Sequence, residues 1–407
     1  MSVRKRTWTT DRGETREAWV VQYSIAEQDK RGKRKRVIKT FDKKKDADAF
    51  HAQVRVDLAK GTHVPASKSP TVEAAGRNWI DACADLERTT RDGYQQHLRD
   101  HINPYLGGLK VSALTVPVVR EWQDKLRKGV PAPGQDTAEP RSADMAKRVT
   151  GTLGSVLADA QERGHVGQNV VRSLRANRKR GKDRKAERRA KGKLKIGVDI
   201  PTPAEIDALL KAADGRWRPL LLVAIRCGLR ASELRGLRWR DIDFKRSELH
   251  VHQRADAYNT IGPPKSEAGE RSVPIPPTTL NALREWKLRC PKLQSGLHYV
   301  FPTGTGKIES HANIVTRGLA PTMIKARVTV ANGKEVRAKY TGLHALRHFF
   351  ASWCINRKVD GGLELPLKVV SERLGHSNIS ITADLYGHLF PRADDSAELA
   401  AAEGKFG

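Results

Sequence analysis

The 407-residue chain carries 75 lysines and arginines against 46 acidic residues, a formal charge of +29, on a length that accommodates two or three domains. An excess of this size seeks a polyanion, nucleic acid first and an anionic membrane surface second. A membrane-spanning helix is not expected: the best apolar run, LLLVAI at 220–225, falls far short of the roughly 20 residues that cross a bilayer.

In chain order, the start MSVRKRTWTTDRG has no apolar segment behind its basic residues, so it does not read as a secretory signal. EAWVVQYSIAE (17–27) and KRKRVIKTF (33–41) alternate as strands around a polar turn with Gly32, and a shorter strand is expected at Arg6–Thr9. DKKKDADAFHAQVRVDLAKG (42–61) reads as a helix with Asp42 as cap and Gly61 as stop. These elements make a small module over residues 1–65, and HVPASKSP (63–70) follows as a linker. Residues 71–171 read as all helical, interrupted by the Pro- and Gly-rich loop VPAPGQDTAEP (130–140), which is expected to be mobile.

Two segments concentrate the charge. Residues 1–69 hold 18 basic and 9 acidic side chains, and residues 172–195 hold 13 and 2. Phosphate contact is expected in both, from Arg34, Lys35 and Arg36 in the first and Lys179, Arg180, Arg184, Arg188 and Arg189 in the second. The second, RSLRANRKRGKDRKAERRAKGKLK, lacks apolar periodicity and reads as an interdomain linker (172–198) that orders on binding.

A further domain, 199–390, opens with the capping box Thr202-Pro203-Ala204-Glu205 and continues with RPLLLVAIRC, a helix stopped by Gly228. IDFKRSELHVHQ and ERSVPIP read as strands, and KARVTVANGKEVRAKY (325–340) as an added hairpin. The block TGLHALRHFFASW (341–353) reads as a helix on which Leu343, Leu346 and Phe350 share one face while His344, Arg347 and His348 share another, along the edge of the apolar stripe. Residues 391–407 form a tail. The fold class expected is multidomain α+β: a three-stranded sheet with a helix, an all-α domain, and a mainly α domain with a small antiparallel sheet.

Polar residues recur in this last domain where propensity alone would not put them. Arg230 sits in the tight connection after Gly228, with Glu233 three residues on; its ordinary reading is a helix cap paired to that carboxylate. Lys265 lies in a turn between strands, where lysines are usually only solubilising. His376 follows Gly375, and Tyr386 lies ten residues later on a helix, where a tyrosine is more often core. Together the set is two arginines, a lysine, two or three histidines and a tyrosine. Cys83, Cys227, Cys290 and Cys354 are scattered, with no CxxC pair, and no metal-ligand set is expected. Two arginines can hold the oxygens of a phosphoryl group as charge builds on them, a phenol can form an ester with that phosphorus, and lysine or histidine can move the protons. Such a set transfers a phosphodiester without Mg²⁺ or ATP.

GLRASELRGL, the turn lysine of PKSEAGERSVPI, HALRH and LGHSNISITADLY, in this order, resemble the tyrosine recombinase (phage integrase) family, and the likeness spans most of residues 200–390. It implies Arg230 and Arg347 as the catalytic arginines, Lys265 as general acid for the 5′-hydroxyl, His344 and His376 as the family's histidines, and Tyr386 as the nucleophile that forms a 3′-phosphotyrosyl bond. Glu233 and His348 take supporting positions. The resemblance further implies a helical core-binding (SAM-like) domain at 71–171 that clamps double-stranded DNA with the catalytic domain. It implies a homotetramer that exchanges strands through a Holliday junction and needs no cofactor.

The first module resembles the arm-type DNA-binding domain of lambda-like integrases. That favours a cytoplasmic integrase of a prophage or integrative element, acting with an excisionase and a DNA-bending host factor. A Xer-type resolvase, a type IB topoisomerase and a non-catalytic DNA-binding protein are the alternatives.

Overall fold

The computed structural model describes residues 2–9, 15–28, 34–59, 63–65, 68–174, 193–293, 296–333, 335–390 and 403. The chain divides into two compact units, Met1–Arg178 and Lys179–Gly407.

The first unit begins with an antiparallel sheet of β1 (Ser2–Thr9), β2 (Thr15–Gln28) and β3 (Arg34–Phe41), in that order, followed by α1 (Lys44–Ala59). Residues opposite one another across strands project to one side, so the register assigns the faces. Val3, Val21, Val37 and Phe41 lie on the side that packs on Ala47, Phe50 and Val54 of α1. The other side carries Arg4, Arg6 and Trp8 on β1 and Arg36 and Ile38 on β3, all exposed. β1 starts four residues earlier than its expected strand. Three of its eight side chains, Arg4, Lys5 and Arg6, are exposed cations and only Val3 is partly buried, so the apolar half of the alternation is sparse.

Helices complete this unit: α2 (Val72–Ala82), α3 (Arg88–His97), which runs on through a π-helical stretch (Leu98–Ile102) into α4 (Asn103–Leu106), α5 (Val116–Lys128), α6 (Ala143–Glu162) and α7 (Val170–Ser173). Thr71 and Ser142 cap α2 and α6, their hydroxyls accepting from Ala74 N and Met145 N, which satisfies backbone donors the first turn leaves open. Val72, Ile102, Val119, Leu153 and Leu157 form the core, and Trp122 Nε1 donates to His101 O at 2.9 Å within it. The loop 130–140 turns back to α5, where Arg141 N donates to Leu126 O at 2.9 Å.

The second unit opens with α8 (Pro203–Ala212), whose capping box is complete: Thr202 N donates to Glu205 Oε2 at 2.8 Å and Glu205 N to Thr202 Oγ1 at 3.2 Å. The order continues α9 (Trp217–Cys227), α10 (Ala231–Gly236), β4 (Ile242–Asp243), β5 (Glu248–Val251), β6 (Arg254–Ala255), β7 (Ile261–Gly262), β8 (Arg271–Pro274), α11 (Pro277–Arg289), α12 (His311–Asn313), α13 (Ala320–Lys325), the hairpin β9 (Thr329–Asn332) and β10 (Glu335–Ala338), α14 (His344–Ile355), α15 (Leu367–Leu374) and α16 (Ile379–Tyr386). The strands make an antiparallel sheet, β4-β5-β8, and two-stranded ribbons, β6-β7 and β9-β10. The architecture is the expected one, a mixed α+β chain with small antiparallel sheets.

α9 is buried from Pro219 through Ile225, in a core with Leu249, Val273, Leu283 and Leu346. Two glycines shape what lies around it. Gly228 ends α9 at φ 62°, and a Cβ there would stand 2.1 Å from Phe350 Cδ1, so α14 seats its phenyl ring where a side chain would be. Gly375 ends α15 at φ 64°, and a Cβ there would meet Arg271 Nη1 at 2.8 Å and Ala268 O at 3.0 Å.

Candidate active site

The ends of α9 and α15, the start of α10 and one face of α14 meet at a cluster of cations. Arg230, in the extended residue before α10, donates from Nη1 to Glu233 Oε1 at 2.7 Å and from Nη2 to Gly375 O at 2.9 Å. Glu233 also receives the backbone N–H of Arg230 at 2.9 Å. Burial alone would raise its pKa; Arg271 and then Arg230 outweigh that and hold it below the usual carboxylate range.

Arg271 was absent from the expected set. It projects from β8, is nearly enclosed, and grips Glu233 with both terminal nitrogens, Nη2 to Oε2 at 2.9 Å and Nη1 to Oε1 at 3.3 Å. Its Nε donates to Arg373 O at 2.7 Å. The signal was in the sequence: Arg271, Val273 and Ile275 alternate on one side of a strand, and Val273 and Ile275 are core residues.

Arg347 is deeper than the stripe edge at which its helical position put it, only 2% exposed. Its Nη1 donates to Gly228 O at 2.6 Å and its Nη2 to Leu374 O. Burial first, then Arg230, lowers its pKa to about 9, which leaves it charged at neutral pH. Three guanidiniums thus surround Glu233, two bonded to it and the third within its field, and positive charge is left in excess. Uncompensated buried charge is costly, so the arrangement favours an anion.

The histidines line this excess. The helix begins at His344, not at Thr341, so His344 occupies the first turn, where the free N–H groups of a helix face anions. Its pKa is lowered by loss of solvation, then by Arg347 and Arg230. His376 Nδ1 lies 2.9 Å from Thr382 Oγ1, and desolvation followed by the fields of Arg347, Arg230 and Arg271 brings it to about 4. His348 is likewise brought to about 4, by burial, His344 and Arg347 in that order. Its Nδ1 stands 2.7 Å from the Tyr386 hydroxyl. Tyr386 is 1% exposed, and burial pushes its phenol up to about 12 against the pull of Arg347.

These depressed histidines make the unit acid-labile, with a definite sign. All three bind protons less readily folded than in an unfolded chain, where histidine titrates near 6.5. The stability this contributes is present above about pH 6.5 and is lost as pH falls through about 4. The melting temperature should fall across that window in calorimetry of the intact chain. A constant value between pH 7 and 4.5 would show that the three rings are not held neutral by the fold.

Lys265 stands apart: it is exposed in the loop between β7 and β8. Ala268, three residues on in the same loop, approaches Gly375 through its carbonyl oxygen, which carries the loop to the rim of the cluster. Among the candidate phosphate contacts, Arg34 and Arg36 lie exposed on β3, and Lys35 is in the same strand. Lys179, Arg180, Arg184, Arg188 and Arg189 fall outside the described residues. No group of three or more His, Cys, Asp or Glu side chains among the described residues could hold a metal ion, and no described helix is long and apolar enough to cross a membrane.

Residues 201–392 match the phage integrase family, and residues 78–127 match the phage integrase N-terminal SAM-like domain. The chain belongs to the phage integrase family of tyrosine recombinases, and the catalytic-domain match, 201–392, lies within the second unit described above. It is 28% identical over 380 residues to a protein of Caldanaerobacter subterraneus subsp. tengcongensis named "Tyrosine recombinase XerC-like", covering 87% of this chain and 88% of that one.

In fold it is similar to the Tn1549 transposon integrase in complex with transposon right end DNA, with a TM-score of 0.60 at 17% identity, covering 83% of this chain and 100% of that one. It is also similar in fold to lambda integrase, in a tetramer bound to a Holliday junction, with a TM-score of 0.54 at 15% identity, covering 92% and 96% of the two chains. A non-catalytic DNA-binding protein and a topoisomerase fit these relatives less well than an integrase does.

Proposed function

We propose that this recombinase is the integrase of a prophage or integrative mobile element, and that it cuts and rejoins duplex DNA at the cluster around Arg347. The observation that carries the reading is the surplus of buried guanidinium charge beside a buried tyrosine hydroxyl. The surplus is matched by one DNA phosphate, whose non-bridging oxygens Arg230 and Arg347 clamp as negative charge grows on them.

His344 and His376 donate to the same oxygens, and Glu233 with Arg271 holds Arg230 in position. Tyr386 attacks phosphorus and forms the 3′-phosphotyrosyl ester, while Lys265, on its exposed loop, swings in to protonate the departing 5′-oxygen. A phosphodiester is exchanged for another of similar energy, so ATP is not consumed, and the arginines supply the charge stabilisation that a metal supplies elsewhere.

The test is covalent trapping. The purified chain is mixed, in EDTA, with a nicked duplex taken from the DNA that borders this gene's element. The nick lets the 5′ fragment diffuse away, so a cleaving enzyme accumulates as a DNA adduct that survives denaturation. Adduct is expected with wild-type protein in EDTA. Arg347→Lys keeps the charge but loses the fork to Gly228 O and Leu374 O, and should form adduct about 10²–10³-fold more slowly. A strict metal requirement, or wild-type rates from this variant, would reject the assignment.

Under the same proposal, residues 1–65 grip arm-type DNA, while 71–171 and 199–390 close around the core site. The active assembly is a cytoplasmic homotetramer joined by an excisionase and a DNA-bending factor. The side of the N-terminal sheet away from α1 supports the arm role, because it presents Arg4, Arg6 and Arg36 together. Replacing all three with alanine should lower the slope of log affinity against log salt on plain duplex DNA by about one per lost phosphate contact. An unchanged slope would take DNA off this surface.

A further inference from the structure

We infer that His348, rather than either of the family-matched histidines, is the proton acceptor for the Tyr386 hydroxyl. The inference rests on Tyr386 being the nucleophile and adds the group that activates it.

Geometry separates the three imidazoles. His376 is engaged through Nδ1 with Thr382 Oγ1 at 2.9 Å. His344 stands in the first turn of α14, exposed, and meets His348 one helical turn on with ring centroids 4.6 Å apart and planes at 86°. Only His348 reaches the phenol among the described residues: Nδ1 is 2.7 Å from the hydroxyl, at the 2.6–3.2 Å that proton transfer needs. Its ring thus bridges the residue facing the phosphate site and the residue that attacks.

Protonation states suit the role. The groups facing His348 are His344 and Arg347 on its own helix, Tyr386 on α16, and Asp199 from the segment before α8. Burial, His344 and Arg347 together outweigh Asp199, so the ring is neutral at pH 7, while the enclosed phenol keeps its proton. The O–H therefore donates to Nδ1, which places the ring's own proton on Nε2. A phosphate entering the cluster brings negative charge that offsets Arg347. The ring becomes more basic at the moment the reaction needs a base.

The step balances. As the Tyr386 oxygen bonds to phosphorus, its O–H bond breaks and the proton passes to the Nδ1 lone pair, giving an imidazolium. The P–O5′ bond breaks, and that oxygen takes its proton from Lys265. In the return step the 5′-hydroxyl attacks the phosphotyrosine and gives its proton back to Lys265, and the departing phenolate recovers the proton from His348.

The experiment uses the full chain and a nicked duplex that wild type converts to adduct, made also with sulfur in place of the bridging 5′-oxygen. Sulfur leaves without protonation, so it relieves loss of the acid and not loss of the base. His348→Ala should slow adduct formation about 10²–10⁴-fold at pH 7, by an amount that shrinks as pH rises and that sulfur does not remove. Lys265→Ala should be relieved by sulfur. His348→Asn can accept the phenol's hydrogen bond but not its proton, and should be as slow as the alanine variant. It also serves if the alanine variant fails to fold, which thermal unfolding reveals.

Wild-type rates from His348→Asn would make the ring a spacer and overturn the inference, as would a His348→Ala deficit that sulfur abolishes. Adduct from Tyr386→Phe would instead remove the nucleophile reading on which this inference stands. Loss of adduct from Tyr386→Phe combined with undiminished cleavage by His348→Ala would remove this inference alone.

Discussion

Tyr386→Phe is expected to bind DNA as wild type does and to form no covalent adduct at all. The substitution removes one oxygen from a side chain that otherwise stays where it is, packed with Phe350, Val370 and Leu374. Its structural cost is the hydrogen bond to His348, worth about 1 kcal/mol net. A small shift in melting temperature and a complete chemical loss are therefore expected together. That contrast separates a nucleophile from a core tyrosine, which is what a buried phenol on a late helix ordinarily is. The measurement is a denaturing gel of protein with nicked duplex, beside a binding isotherm. Adduct at the wild-type level would put the nucleophile on another residue and leave the surrounding cations without a reaction to serve.

The second large effect is on stability. Glu233→Ala should destabilise the second unit by about 3–5 kcal/mol, because it leaves Arg230 and Arg271 without their shared partner beside the enclosed Arg347. For a unit of this size the melting temperature should drop by roughly 10 °C. Inorganic phosphate or sulfate should restore more of the loss in the variant than it adds to wild type, since the anion binds the folded state and takes over part of the neutralisation. Adduct formation should fall as well, because Arg230 loses its orientation. A melting temperature within a degree of wild type would mean the carboxylate is not what balances the cluster.

Much of this was legible along the chain, and the exceptions have physical reasons. The capping box at Thr202 and Glu205 and the hairpin 329–338 are local devices, readable because every group involved lies within a few residues. Arg230, His344, Arg347, His376 and Tyr386 were picked out as residue types in order, and the structure gathers them through Gly228 O, Gly375 O and the His348 bond.

What stayed hidden is tertiary. Arg271 lies 38 positions from Glu233 and reads as an ordinary strand residue until the two are seen joined. The pairing of His348 with Tyr386 also spans 38 positions, and helical periodicity sees only one partner. The same limit explains Arg347: periodicity put it at an edge, while the closing of α15 over α14 sealed it in. On the N-terminal sheet, Arg4 and Arg6 became a coherent face only once the register with β2 was known.

Gly228 shows how little of this arrangement can drift. Its carbonyl receives Arg347, and its missing side chain admits Phe350 from the same helix. Any methyl group grafted there would lever that helix outward and shift its histidines along with the arginine, without removing a single side chain of the cluster. Damage at so quiet a position would surface as a crippled recombinase with every reactive group intact, and the flaw would be one of alignment.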